Sequence, residues 1–418
     1  MPERRVVLTG MGAITPVGND VSDFWDAILS GKSGVAPLTA FDSSFFTSRI
    51  AAEVKDFDAT GYMTGKQDRR LDRFVKFALA AAKIAFKDSG LDPERMVRER
   101  AGVYIGSGIG GLHTIESEHK KYMDAGPEKG PARISPFLIP MLIVNMASGV
   151  ASIELGLKGP NSAAVTACAT ASHSIGDAFK IIKRGAADIM VSGGSEAAIT
   201  PMGFGGFCAL KALSTRNDEP WKASRPFDRE RDGFIMGEGA AVVVLEELEH
   251  ARKRGARIYC EITGYGMSGD AYHMTAPEPS GGGAVRCMRA ALEDAKLNVE
   301  EVDYINAHGT STPLNDKMET CAIKGVFGEH AEKVAVSSTK GVTGHMLGAA
   351  GGVELIACAK AIEKQTLPPT ANYEFPDPEC DLDYVPNHPR EAKVDVVISN
   401  SLGFGGHNVT LAVRRFTG

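Results

Sequence analysis

The 418 residues hold no uninterrupted apolar run of membrane-spanning length. The nearest, residues 134–150, is broken by Pro136, Pro140, Asn145 and Ser148 and reads as a buried helix and loop. There is no surplus of positive charge either: 46 Lys and Arg face 52 Asp and Glu, a net of −6. General attraction to a nucleic acid backbone therefore has no source, and an anionic partner needs a local basic patch. The seven cysteines are scattered, with no C-x-x-C pair and no Cys/His cluster at zinc spacing, which removes the sequence case for a bound metal. Their odd number leaves at least one thiol unpaired, and a reducing cytoplasm is the expected location. The opening Met-Pro-Glu-Arg-Arg-Val-Val-Leu-Thr-Gly runs into a strand-like segment, so neither a signal peptide nor a transit peptide is expected. No G-x-x-x-x-G-K-[ST] loop is present, leaving nucleotide hydrolysis without support.

What is present is the composition of a folded globular chain, 43% apolar and 23% charged. Glycine is the excess. Its 47 residues exceed the usual share of about 7% and imply many turns and close backbone approaches. Short β-branched runs alternate with small-residue helices, which defines an α/β class. Strands are expected at Arg5–Thr9, Gly102–Ile105, Ala163–Ala167, Asp188–Ser192, Ala240–Leu245, Val302–Asn306, Lys333–Ser337, Val394–Ser399 and Val409–Val413. Helical spacing of Leu71, Phe74, Val75, Ala78, Leu79, Ala82 and Phe86 predicts a helix over Leu71–Ser89. Its outer face carries Lys66, Arg69, Arg70, Arg73 and Lys76 against only Asp68 and Asp72, either a solvated face or a dock for an anionic partner.

The two halves echo each other. Ala85-x-x-Asp88-x-x-Leu91-x-x-Glu94 recurs as Ala291-x-x-Asp294-x-x-Leu297-x-x-Glu300, and a Thr-Gly-x-Gly ends a strand at Thr9–Gly12 and at Thr263–Gly266. The common order predicts a duplicated α/β unit. Its join falls near Arg252–Arg257, giving halves 1–255 and 256–418.

Cys168 stands where a β-like run, Asn161–Ala167, meets a helix that reads as starting at the thiol. Unpaired N–H groups and the positive dipole end would favour a thiolate there and offer donors to an oxyanion. The other six cysteines read as structural thiols. His308, in Asn-Ala-His-Gly-Thr-Ser-Thr at a strand end, and His345, before the small-residue helix Met346–Ala361, are the candidate partners of the nucleophile. A helix start disfavours an imidazolium, so His345 is expected neutral, a hydrogen-bond donor able to stabilise an enolate. The remaining histidines, His173 included, read as surface or packing residues. The G-x-G-x-x-G at Gly106–Gly111 is a poor dinucleotide site, because no second strand ending in an acid follows it.

Thr166-Ala-Cys168-Ala-Thr, His308-Gly-Thr-Ser-Thr, Lys340-Gly-Val-Thr-Gly-His345 and Asn400-Ser-Leu-Gly-Phe404-Gly-Gly occur together and in order. With them the chain resembles the β-ketoacyl-acyl-carrier-protein synthases over essentially its full length, most closely the elongating type II condensing enzymes of bacterial fatty-acid synthesis. The resemblance implies a thiolase-like duplicated fold, a five-layered α-β-α-β-α sandwich, and a homodimer. It implies that Cys168 takes an acyl chain from an acyl carrier protein, with its own N–H and that of Phe404 as oxyanion hole. His308 and His345 would act on malonyl-acyl carrier protein, and Lys340, paired with Glu354, would order the site. Ile109, Thr310, Thr312 and Gly403 would bind substrate, Ile109 limiting chain length, and Phe404 would gate the pocket. Lys66, Arg69, Arg70, Arg133 and Lys211 would dock the acidic carrier. No metal or redox cofactor is implied, since phosphopantetheine arrives on the carrier; nor is nucleic acid or a membrane.

Ala132 stands where some relatives have a basic residue, and His407 where many have threonine; both bear on specificity, not on the reaction. A second cysteine would mark a thiolase, and Cys with His and Asn an initiating synthase; His345 opposes both. A polyketide ketosynthase shares all the chemistry and stays open. A non-catalytic chain-length subunit would lack the nucleophile.

Overall fold

The computed structural model describes residues 3–418. Its main sheet has ten strands. They are β1 (Val6–Ile14), β2 (Ala101–Gly106), β3 (Asn161–Ser162), β4 (Ile189–Glu196) and β5 (Gly239–Glu247), then β6 (Cys260–Gly269), β7 (Tyr304–Asn306), β8 (Ala335–Ser337), β9 (Val396–Gly403) and β10 (His407–Arg414). The order is β8-β7-β9-β10-β6-β1-β5-β4-β2-β3. Each set of five therefore has the same internal arrangement, and the chain passes from one set to the other between Lys253 and Cys260. Only three residue pairs, Val6 to Leu8 against Ile262 to Cys260, join the sets.

The echo in sequence is an echo in packing. Gly10 and Gly12 of β1 lie under helix α1 (Arg73–Asp88), where a Cβ on either would fall 2.2 and 2.1 Å from the carbonyl oxygens of Ala85 and Ala81. Gly264 and Gly266 of β6 lie in the same way under α3 (Gly282–Ala295), against Ala291 and Cys287. Asp88 accepts the N–H of Met11 at 2.9 Å, and Asp294 that of Tyr265 at 3.0 Å. Glycine is required at these positions because helix backbone rests directly on strand backbone.

The strand period of two sorts the core into layers. Ala240, Val242 and Val244 of β5 face the α1 layer, and Ala241, Val243 and Leu245 face the middle. That middle layer holds α2 (Thr170–Lys183) and α5 (Ala350–Lys364), which pack between both strand sets. Beyond β6 to β10 lie α3 and α4 (Pro313–Phe327) with a third core. The result is the five-layered α-β-α-β-α sandwich, its two sheets continuous through β1 and β6.

Several local expectations are corrected. Ala163–Thr166 is irregular rather than a strand, and ladder pairing stops at Ser162. The two Thr-Gly-x-Gly segments lie inside β1 and β6 rather than at strand ends. Residues 134–150 are not a buried unit: Ile134 and Ile139 are exposed, and burial begins at Ala147 on the helix Met146–Leu155. The basic face is thinner than its sequence suggests, because Arg73 pairs with Glu238 and Lys76 with Asp68. Among the described residues, no helix is long and apolar enough to cross a membrane.

Candidate active site

Cys168, His308 and His345 meet at one cavity of about 550 Å³, although they come from distant parts of the chain. Sγ of Cys168 and one ring nitrogen of each histidine all lie within 4.8 Å of one another. Cys168 sits in a single 3-10 turn, Ala167–Ala169, and α2 begins only at Thr170. The preceding Ala167 has φ of +49°, a conformation disfavoured for alanine that turns the chain sharply at the nucleophile. The N–H groups of Phe404 and of Cys168 itself are directed at Sγ.

The expected thiolate is not what the environment favours. Burial pushes the Cys168 thiol up to about 12, outweighing the Lys340 ammonium and the two N–H groups, and the Glu196 carboxylate raises it further. The thiol is two residues short of the helix and enclosed by apolar neighbours, so desolvation outweighs the dipole. Burial first, and then Lys340, hold both histidine rings well below the usual imidazole range. Each is neutral and can take a proton from the thiol or donate one to a carbonyl. His345 is neutral for a different reason than its sequence context suggests: α5 begins five residues later, so burial and Lys340, not a helix start, are the causes. Nδ1 of His308 and both ring nitrogens of His345 are buried without a protein partner and free for substrate.

Lys340 Nζ is buried behind this pair, donates to the His308 carbonyl at 2.6 Å and forms an ion pair with Glu354. Cys and His side chains are also zinc ligands, but the Lys340 charge bears on all three and opposes a second cation. The His308 loop is fixed from below by α4. Glu319 accepts the N–H groups of His308 and Gly309 at 2.8 Å each, and Asp316 those of Thr310 and Ser311 at 3.0 and 3.2 Å. Burial raises Glu319 to about 7.

Ile109, Thr310, Thr312, Gly403 and Phe404 all line the cavity. Thr310 and Thr312 share a hydroxyl hydrogen bond of 2.9 Å. Lys211 is on the rim, whereas Lys66, Arg69, Arg70 and Arg133 lie outside it, all exposed. Arg70 stacks on Phe137 at 4.3 Å, which brings the turn before α1 against the segment that follows Arg133. His173 is buried, with Nδ1 3.0 Å from the Thr166 hydroxyl, a packing role beside the nucleophile turn.

The sequence reading missed Glu196, Asp316, Glu319 and a row of aromatic rings. Phe404, Phe207, Phe234 and His345 follow one another with centroids 6.3, 5.3 and 5.4 Å apart. For Glu196 a signal existed, an acid ending a strand that carries no other charge.

A duplicated α/β sandwich with a cysteine and two neutral histidines at the foot of an apolar cavity defines the class of thioester condensing enzymes. The chain belongs to the β-ketoacyl synthase family: the N-terminal domain model of that family matches residues 3–251 and the C-terminal model residues 259–374. It is similar to 3-oxoacyl-[acyl-carrier-protein] synthase 2 of Coxiella burnetii, 57% identical over 415 residues and 99% of both chains. It is 54% identical to the protein of that name from Synechocystis, over 100% of this chain and 99% of the other. Among solved structures, a β-ketoacyl synthase from Burkholderia phymatum superposes with a TM-score of 0.91 at 35% identity, covering 99% of this chain and 100% of that one. A ketosynthase solved with its type II polyketide acyl-carrier protein and a hexaketide gives 0.92 at 36%, over 99% and 100%.

Proposed function

We propose that the protein is a 3-oxoacyl-[acyl-carrier-protein] synthase that lengthens fatty acyl chains by two carbons. The observation that carries this is the meeting of Cys168 Sγ, two neutral imidazoles and two backbone N–H donors at one cavity. In the first half-reaction the Cys168 sulfur attacks the thioester carbonyl of an acyl carrier protein as its proton passes to a neutral imidazole. The N–H groups of Cys168 and Phe404 receive the oxyanion, and the carrier thiol leaves with the proton. In the second, the thioester carbonyl of malonyl-acyl carrier protein accepts hydrogen bonds from His308 and His345. Carbon dioxide departs, leaving an enolate that neutral donors stabilise without first becoming acids. Its carbon attacks the acyl-Cys168 carbonyl, the sulfur leaves, and 3-oxoacyl-carrier protein is released. Loss of carbon dioxide drives the sequence, so the reading requires no metal or organic cofactor beyond the carrier's phosphopantetheine.

Lys66, Arg69, Arg70, Arg133 and Lys211 suit an acidic carrier, for among the described residues none of the five pairs with a carboxylate. A homodimer in the cytoplasm completes the reading. What supports the dimer is the exposed edge strand β3, with Ile153 and Val165 near it 75% and 56% exposed, an edge that a second copy could cover.

The test is purified enzyme with malonyl-carrier protein and a ladder of acyl-carrier lengths, read by mass. The expected products are extended once. Repeated extension on one chain would favour the polyketide reading, and acylation of a cysteine other than Cys168 would defeat the assignment. His308→Ala or His345→Ala should lower carbon dioxide release at least about 100-fold.

A further inference from the structure

One wall of the cavity hangs on a side chain with no part in the proposed chemistry. Glu196 ends β4 and is fully buried; among the described residues it has no basic partner. Its carboxylate accepts from Ser107 Oγ at 2.8 Å, Gly108 N at 2.8 Å and Ile109 N at 3.2 Å. From the other half of the molecule it accepts Gly348 N at 3.0 Å. Gly110 N donates to Ser107 Oγ at 3.0 Å, so three successive N–H groups reach this carboxylate directly or through one hydroxyl.

The two segments it joins carry different parts of the site. Ser107–Gly110 carries Ile109, which borders the cavity. Gly348 lies three residues after His345 and follows Leu347, whose φ of +46° is strained for a branched side chain. The seam is tight: a Cβ on Gly348 would fall 2.4 Å from Gly108 N and 2.7 Å from the carboxylate, and one on Gly108 would fall 2.7 Å from the same oxygen. Gly108, Ile109 and Gly348 meet the carboxylate through their own N–H groups, so a shift of either segment bears on the same side chain.

We propose that Glu196 is a positioning residue that couples the Ile109 wall to the segment carrying His345, so that an acyl chain in the cavity sets the geometry of the decarboxylating half. This rests on the condensing reading above. A chain that displaces Ile109 pulls its N–H against the carboxylate, and Gly348 is held by the same group. The coupling is a difference in decarboxylation between free and acylated enzyme, carried by one identified contact.

The experiment measures carbon dioxide release from malonyl-carrier protein by free enzyme and by enzyme acylated beforehand on Cys168, in wild type, Glu196→Gln and Ser107→Ala. The Glu196→Gln change is isosteric but turns an N–H₂ toward N–H donors, and Ser107→Ala removes one donor and is the milder change. The expected result is a release rate at least about fivefold higher in acylated than in free wild type. That ratio falls toward one in Glu196→Gln and partway in Ser107→Ala. A ratio of one in wild type overturns the coupling, as does a ratio preserved in both variants while thermal stability alone falls. Wild type that neither acylates nor releases carbon dioxide would instead defeat the condensing reading itself.

Discussion

The Lys340 ammonium donates to the backbone carbonyl of His308 at 2.6 Å, so the cation that sets the electrostatics of the site also fixes the loop that carries its imidazole. Lys340 lowers His308, His345 and Cys168 together. Its replacement by alanine lets all three rise and strands Glu354 as a buried carboxylate without its partner. Breaking a buried pair costs about 3–5 kcal/mol. Lys340→Ala should therefore melt well below wild type and alkylate Cys168 more slowly at pH 8; unchanged alkylation would show that the ammonium does not reach the thiol.

The depressed histidines give a pH signature. With both rings held below the ordinary imidazole range by burial, the neutral forms persist through the interval in which a free histidine protonates. Carbon dioxide release should stay flat from about pH 8 to about pH 6, with no acid limb at the usual value near 6.5. Stability has the opposite sensitivity. The unfolded chain binds protons at these two positions that the folded chain refuses, so their contribution is complete above about pH 6.5 and declines as pH falls. An acid limb centred near 6.5 in His345-dependent release would refute the depressed value.

For the thiol the sign reverses. A Cys168 pushed up to about 12 is protonated across the neutral range. Iodoacetamide labelling of its peptide should rise about tenfold per pH unit from pH 7 to 10 with no plateau. A plateau at Cys168 below pH 9 would mean that the free enzyme already stores a thiolate.

The duplication was legible because it is written in residues that cannot vary quietly. A glycine under a helix and an aspartate capping the N–H beside it occur at Gly10 and Asp88 and again at Gly264 and Asp294, in the same order and each within a short motif of the same internal spacing. The nucleophile and its two histidines were legible because small residues crowd all three. What failed was local. Ala163–Thr166 has strand composition but loses its ladder, and the helix after Cys168 starts late because Ala167 takes a left-handed turn that no propensity anticipates. Glu319 was invisible because its partners are the backbone N–H groups of His308 and Gly309, which leave no trace in composition, and Glu196 showed only as an acid at a strand end, its partner Gly348 being remote in sequence.

The exposed edge offers a separate measurement. Ser148, on the helix Met146–Leu155, donates to the Ser162 carbonyl at 2.6 Å and so anchors β3 to the helix that presents Ile153. A second copy pairing along this edge would bury Ile153 and Val165. For the dimer proposed above, formed along this edge, Val165→Asp should shift sedimentation from dimer to monomer, since a charge buried in an apolar interface costs several kcal/mol. A wild type that already sediments as a monomer would remove this edge as an interface.

The basic surface divides into groups that are spent and groups that are free. Arg73 and Lys76 are neutralised within the protein, by Glu238 and Asp68, and should contribute little to a partner. Lys66, Arg69 and Arg133 face solvent without a carboxylate, while Arg70 lies on Phe137 and has a packing role that its loss would also remove. Arg69→Glu is thus the cleaner reversal. It should raise KM for acyl-carrier protein about tenfold and leave kcat within twofold, because docking is lost and the cavity is untouched. Turnover of a small pantetheine thioester, which does not need the dock, should not change. Raising ionic strength from about 0.05 to 0.5 M should weaken wild-type carrier binding and leave Arg69→Glu less sensitive, as exposed charges are screened beyond about 10 Å at 0.1 M. Carrier binding that ignores both salt and the reversal would mean that the carrier approaches by another face, with Lys211 on the cavity rim as the remaining basic contact.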